Sequence, residues 1–333
     1  MSNSEIPSQT KQKLDIVIPV YNEQECLNEL LERLLALRTA MAAEVDINLI
    51  FVNDGSKDNS LVMLGQFAAQ YSFVKVLSFS RNFGHQISLT AGLDHSNADY
   101  VAIIDADLQD PPELIRDMYE KAKQGFDTIY GQRRLRKGDS GFKKITAGLF
   151  YRILSKLCDV DIPKDTGDFR LINKKVLSGL KTMHEKHRFI RGMVPWLGFK
   201  STPLLYDRDE RFAGETKYPV SKMLKFALDA IFSFSSKPLK VATSLGMVMI
   251  CVGMALAFFM LYIKLFTDKA VLGVTVMIWS VITIGGIQIL MLGVIGEYIA
   301  RIFEESKNRP LYIIEQALNF PSTSHNDKSQ TTN

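Results

Sequence analysis

The chain has 333 residues and a formal net charge of +4, which implies no general polyanion-binding surface and no nucleic-acid partner. Its three cysteines, Cys26, Cys158 and Cys251, lie far apart with no CxxC pair. That excludes a disulfide framework or a cysteine zinc site and suits a reducing compartment. The length allows one soluble domain of ordinary size plus something more.

Met1 to Gln12 is polar and lacks an apolar core, so it predicts no signal peptide, and the domain after it is expected in the cytoplasm. Residues 15–20 (DIVIPV), 47–53 (INLIFVN), 74–79 (VKVLSF) and 99–104 (DYVAII) are short, β-branched apolar runs. Helical patterns such as Asn22 to Ala40 and Asp58 to Gln70 separate them. Strands alternating with helices predict an α/β fold with a mostly parallel, Rossmann-like sheet. Ligands of such sheets bind beyond the carboxyl ends of the strands. That rule gathers Tyr21-Asn22-Glu23, Asp54-Gly55-Ser56 and Asp105-Ala106-Asp107 on one edge.

Asp105, Asp107 and Gln109 present oxygen ligands on a short loop. Hard divalent cations such as Mg²⁺ take oxygen, commonly a carboxylate or two plus substrate phosphates. Such a cation neutralises charge growing on a diphosphate leaving group. Pro111, Pro112 and Glu113 then open a helix, where proline is tolerated in the first turn. Further on, Asp168 stands between Gly167 and an apolar, strand-like run. Arg208, Arg211 and Lys217 surround a loop containing Gly214, a composition suited to clamping phosphates. The five histidines show no metal-ligand spacing, so His85 and the rest are expected to be structural or surface residues.

Two stretches, Val241 to Ile263 and Ala270 to Gly296, run with no charge between their ends. Each is near or above the ~20 residues a helix needs to span a bilayer. The short connection between them predicts a helical hairpin. Lys222, Lys225, Lys237 and Lys240 precede it, and Arg301, Lys307 and Arg309 follow it. Basic residues gather on the cytoplasmic side, so both ends of the hairpin are expected there. Small residues four apart, such as Ala242 and Gly246, permit close packing between helices or subunits. Lys222 to Ser236 mixes lysines with large apolar residues and predicts an amphipathic helix on the membrane surface.

The strings IPVYNE, VNDGSKD, SRNFGH, DADLQDPPE, TGDFRL, RFAGETKY and LGVIGEYIARI, in that order, resemble the polyprenyl-phosphate glycosyltransferases of glycosyltransferase family 2. The resemblance spans about residues 13 to 315 and is nearest to the bactoprenol glucosyltransferase branch. It implies a GT-A catalytic domain over 13–218, after a disordered terminus over 1–12. A juxtamembrane helix over 219–238 and a hairpin over 239–300 would follow, with spans near 241–265 and 271–296. Residues 301–333 would form a cytoplasmic segment with a disordered tail.

The resemblance also implies roles. Pro19, Tyr21, Glu23 and Asp54 would line the nucleotide pocket, with Arg133 or Arg134 facing the substrate. Asp105, Asp107 and Gln109 would hold Mg²⁺ or Mn²⁺, with Asp168 near the reacting centre and Arg208, Arg211 and Lys217 on the phosphate and acceptor loop. The expected reaction moves one sugar, with inversion, from a nucleotide sugar (UDP-glucose first) to undecaprenyl phosphate at a bacterial inner membrane, in a dimer or tetramer. Other sugars or a GDP carrier are the alternatives, as is a catalytically inactive nucleotide-sugar-binding subunit. A processive polysaccharide synthase usually carries Q-x-x-R-W and more spans, whereas the comparable region here reads RFIRGMVPW.

Overall fold

The computed structural model describes residues 11–134, 163, 166–207, 237–266 and 273–321. Arg208, Arg211, Lys217 and the surface helix expected over Lys222–Ser236 lie outside the described residues.

Four parallel strands form the centre: β1 (Gln12–Val20), β2 (Val45–Asn53), β3 (Val74–Phe79) and β4 (Tyr100–Ile103). Three helices alternate with them: α1 (Leu27–Met41), α2 (Ser60–Gln70) and α3 (His85–His95). Then come α4 (Leu114–Lys123), β5 (Thr128–Arg133), β6 (Thr166–Asn173), α5 (Lys174–Thr182), α6 (Ile190–Trp196) and β7 (Ser201–Tyr206). Two long helices, α7 (Lys237–Phe266) and α8 (Gly273–Ser306), precede a last strand, β8 (Ile314–Leu318). The sheet order is β7-β5-β6-β4-β1-β2-β3-β8. Among the described residues, only β6 and β8 run against their neighbours.

This order explains the burial. Strands covered on both faces read as continuous apolar runs, and β1 is buried from Leu14 to Val20. One core packs α1, α2 and α4 on one face; the other packs α3, α5 and α6 on the opposite face. α3 lies very close to the sheet at Gly92, where an added Cβ would stand 2.3 Å from Val17 Cγ1.

The order also fixes where a ligand can sit. Chain direction after β1 goes outward to β2 and β3, then returns to β4 on the other side. The crevice of such a sheet opens at that switch, beyond the carboxyl ends of β1 and β4. Because β6 is antiparallel, its beginning rather than its end reaches the same edge. Ile103 pairs with Arg170, so continuing that register by two residues sets Asp105 opposite Asp168.

α7 and α8 supply stretches apolar and long enough to cross a membrane, Leu239–Ile263 and Ser280–Ser306, and neither is buried by the protein. α8 continues past the expected limit at Gly296 through Glu297, Arg301, Glu304 and Glu305. The chain beyond it returns to the sheet: β8 pairs antiparallel with β3. The sequence reading of residues 301–333, a cytoplasmic segment with a disordered tail, names no strand there. The pairing covers the outer edge of β3, which would otherwise leave unpaired backbone groups.

Candidate active site

The site begins with loops bolted to one another. After β1, the Asn22 N–H donates to Ser56 Oγ and the Glu23 N–H to Ser60 Oγ. In return, the Lys57 N–H donates to Asn22 Oδ1. These ties hold Asn22 at a positive φ of 55° and delay α1 until Leu27, where the sequence pattern predicts a helix from Asn22. Tyr21 stays 42% exposed at the mouth, and Pro19 pairs with Val52 inside the sheet.

Asp54 is 3% exposed. One carboxylate oxygen accepts from the Phe83 N–H at 2.6 Å and the other from the Gly84 N–H at 2.9 Å. Burial raises its pKa, partly offset by those two bonds. Its visible work is to tie the loop after β3 to the loop after β2. Gly55 has no room for a side chain, since a Cβ would lie 2.5 Å from the Arg81 carbonyl carbon.

Asp105 follows β4, and its Oδ1 is buried without a hydrogen bond. Burial raises Asp105 to about 6; His85 opposes the shift, and the charges of Asp168, Asp110 and Asp107 add to it. Asp107 accepts from the Gln109 N–H at 3.2 Å, which closes the loop around Leu108 at a φ of 59°. Asp110 is fully buried and accepts from the Tyr206 hydroxyl at 2.5 Å. Glu113 takes both nitrogens of an Arg33 fork, at 2.8 and 2.6 Å. The acidic loop is thus pinned on both sides, by β7 and by α1.

His85 corrects the sequence-based expectation. Its side chain is 43% exposed, as a surface residue's would be, but it also faces the acids, with its Nε2 3.2 Å from Asp168 Oδ2 and 3.6 Å from Asp105 Oδ1. Burial disfavours its charge, but Asp105 and Asp168 outweigh burial and lift it to about 9. The same rule that located the other loops applies here, since His85 follows the carboxyl end of β3.

Asp168 is 1% exposed and heavily engaged. Arg191 grips it with two bonds of 2.9 and 2.8 Å, and Gln86 Nε2 donates at 3.2 Å. Burial works against its charge, yet Arg191 and His85 hold the carboxyl well below the usual carboxylate range. Beneath it, buried Arg170 donates to the backbone oxygens of Asp168 and Gly167. Arg191 and Gln86 were missed from sequence; the only hint was the doubled arginine spacing in RFIRG.

Arg133 ends β5 with its Nη2 only 2.9 Å from where a Cβ of Gly167 would lie. It also hydrogen-bonds the Tyr206 side chain. Arg134 pairs with exposed Asp207 at 3.3 Å. The structure therefore brings Asp105, Asp107, His85, Asp168 and Arg191 to one edge, while Arg133 braces the wall and Arg134 points to a surface partner. Among the described residues, no three His, Cys, Asp or Glu side chains form a group able to hold a metal ion.

A mostly parallel sheet with acids at its switch point and an antiparallel strand carrying a buried aspartate is joined in this chain to two helices long and apolar enough to cross a membrane. The glycosyl transferase family 2 model matches residues 15–180, and the GtrB C-terminal hairpin model matches residues 237–302. The chain is 50% identical over 302 residues to an uncharacterized glycosyltransferase of Bacillus subtilis, covering 91% of this chain and 93% of that one. It is 38% identical over 304 residues to a prophage bactoprenol glucosyl transferase homolog of Escherichia coli, covering 91% and 99%. Against a bactoprenol glucosyl transferase of Shigella phage SfV the identity is 37% over 303 residues, covering 91% and 98%. Among solved structures, mannosyl-3-phosphoglycerate synthase from Rubrobacter xylanophilus is 16% identical at a TM-score of 0.46, covering 66% of this chain and 72% of that one.

The chain belongs to glycosyltransferase family 2. It is a glycosyltransferase of GT-A fold with a GtrB-type hairpin.

Proposed function

We propose that the chain transfers one sugar, glucose from UDP-glucose first, to undecaprenyl phosphate, with inversion at the anomeric carbon. The product would be a polyprenyl-monophosphate sugar made at the cytoplasmic face of the bacterial inner membrane for envelope glycans. The observation that carries this reading is the union in one chain of the Asp105–Asp168 edge with two membrane-length helices. Relatives that share over nine-tenths of the chain are named bactoprenol glucosyl transferases, which supports the lipid acceptor and the sugar.

The chemistry fits a crowded Asp168. The acceptor is a phosphate monoester with a second pKa of about 6, so it is nucleophilic near neutral pH without a strong base. An acceptor phosphate oxygen bonds to the anomeric carbon while the bond from that carbon to the donor diphosphate breaks, and the nucleoside diphosphate departs. Asp168, committed to Arg191, His85 and Gln86, organises cations around the reacting centre instead of removing a proton. Positioning and charge stabilisation then supply most of the rate.

Two carboxylates and an amide oxygen, completed by the donor phosphates, suit a divalent ion although no three acids or histidines converge among the described residues. Asp105 has a buried oxygen that makes no hydrogen bond and faces His85 at 3.6 Å, and burial, with the neighbouring acids, raises its pKa. Asp105, Asp107 and Gln109 would hold Mg²⁺ or Mn²⁺, which neutralises charge on the donor diphosphate. Pro19, Tyr21, Glu23 and Asp54 would flank the nucleotide. Calorimetry with Mn²⁺ and a panel of UDP- and GDP-sugars tests the donor side. We expect UDP-glucose to bind most tightly; binding of no nucleotide sugar would favour a non-catalytic subunit.

A further inference from the structure

The residue that grips Asp168 lies close, along the chain, to a contact with the membrane hairpin. The Lys186 N–H donates to Glu305 Oε1 at 2.6 Å, and His187 Nε2 lies 2.7 Å from Glu304 Oε2. Both glutamates stand in the last turn of α8. Only a few residues later, the Ile190 N–H donates to Gln86 Oε1 at 2.9 Å, and Arg191 takes Asp168 in its two-point grip. Gln86 also reaches Asp168. One short segment therefore touches the end of the helix with its first residues and the site with its last.

Such exposed contacts contribute little by themselves, but the end of α8 is also held from the other side. Tyr312 stacks on Phe79 at 5.3 Å, and its hydroxyl donates to Asp94 at 3.1 Å. β8 then pairs with β3. Asn319 Nδ2 donates to the backbone oxygens of Ala68, Tyr71 and Val74, at 2.7, 3.2 and 2.8 Å. This strap keeps Glu304 and Glu305 beside residues 186–187 at high local concentration, so weak contacts form persistently.

We propose that Glu304 and Glu305 are positioning residues for Arg191. They seat the segment from Lys186 to Phe189 so that Arg191 and Gln86 close on Asp168, which makes the assembled site depend on the catalytic sheet being mounted on α8. The inference rests on the transferase reading for its kinetic consequence, though not for its structural one.

The test uses the full chain in lipid nanodiscs, comparing wild type, Glu304→Ala/Glu305→Ala and Glu304→Gln/Glu305→Gln. Hydrogen exchange is read at Ile190, Gly192 and Met193, beyond the residues that touch the glutamates, alongside UDP affinity and transfer kinetics. In the alanine pair we expect exchange at those amides to rise at least about tenfold, as for local opening of a contact. UDP affinity should stay within about twofold while kcat falls at least about tenfold, the signature of a misplaced group. Glutamine retains an acceptor for the Lys186 N–H and should restore most of both readouts. Unchanged exchange at Ile190 to Met193 in the alanine pair overturns the proposal, as does exchange that rises with kcat unaltered. If wild type shows no transfer to undecaprenyl phosphate, the functional reading fails, and the exchange result still decides the coupling.

Discussion

Asp168 and Arg191 meet through two parallel hydrogen bonds, Nε to Oδ1 at 2.9 Å and Nη2 to Oδ2 at 2.8 Å. The carboxylate enters on the antiparallel strand β6 and the guanidinium on the short helix α6. Asp168 is almost fully buried, whereas the Arg191 side chain stays 29% exposed. A buried carboxylate bound this way is a fixed anion around which cations are arranged.

Arg191→Ala should therefore cost more than a surface substitution. It leaves a buried carboxylate short of its main partner, at about 3–5 kcal/mol by the usual cost of breaking such a pair. Arg191→Lys keeps the charge but loses the fork, so it should lie between wild type and alanine. Denaturant unfolding of the detergent-solubilised chain checks the order; equal stabilities for all three would contradict it.

Asp168 also sets a pH dependence. Its folded pKa is depressed below 3.8, so its stabilisation is complete above 3.8 and fades as pH falls through the folded value. Asp168→Asn should be less stable than wild type near neutrality, and the gap should narrow below pH 3.8. Thermal unfolding across that window reads the difference. In the transfer assay, activity of this variant should not return on raising the pH; recovery there would mean that Asp168 acts as a base.

Tyr206→Phe removes the hydroxyl that donates to buried Asp110. Leaving a buried acceptor short of a donor costs about 1–3 kcal/mol. Because the Tyr206–Asp110 bond pins the acidic loop to β7, donor KM should rise as well. A variant as stable as wild type with unchanged donor KM would show that this brace is idle.

Gly92→Ala places a methyl group into Val17. Overpacking of this kind costs about 1–3 kcal/mol. Val17→Ala in the same chain should recover part of the loss by opening the space. A double variant no more stable than Gly92→Ala alone would rule out the contact as the cause.

Much of this architecture was legible in the residues. Runs such as DIVIPV and VKVLSF are continuous because their strands are buried on both faces, and that pattern survives in one dimension. The carboxyl-end rule located Asp54, Asp105 and Asp107 because loops after parallel strands share an edge. His85 obeys the same rule but was set aside, since spacing between histidines says nothing about acids that arrive from β4 and β6. Arg191 and Gln86 were invisible for a related reason: their meeting with Asp168 depends on β6 running antiparallel, a long-range fact. β7 and β8 are edge strands with mixed composition, and β8 joins the sheet only after the chain has passed through two long helices.

The most direct measurement of the central claim is the mass of the lipid product. Purified full-length chain in nanodiscs, given Mg²⁺ or Mn²⁺, UDP-glucose and undecaprenyl phosphate, should yield undecaprenyl phosphate bearing one hexose. Asp107→Ala should yield none while remaining folded and membrane-inserted. A lipid carrying a sugar polymer, no lipid-linked monosaccharide from any UDP- or GDP-sugar, or wild-type output from Asp107→Ala would contradict the account.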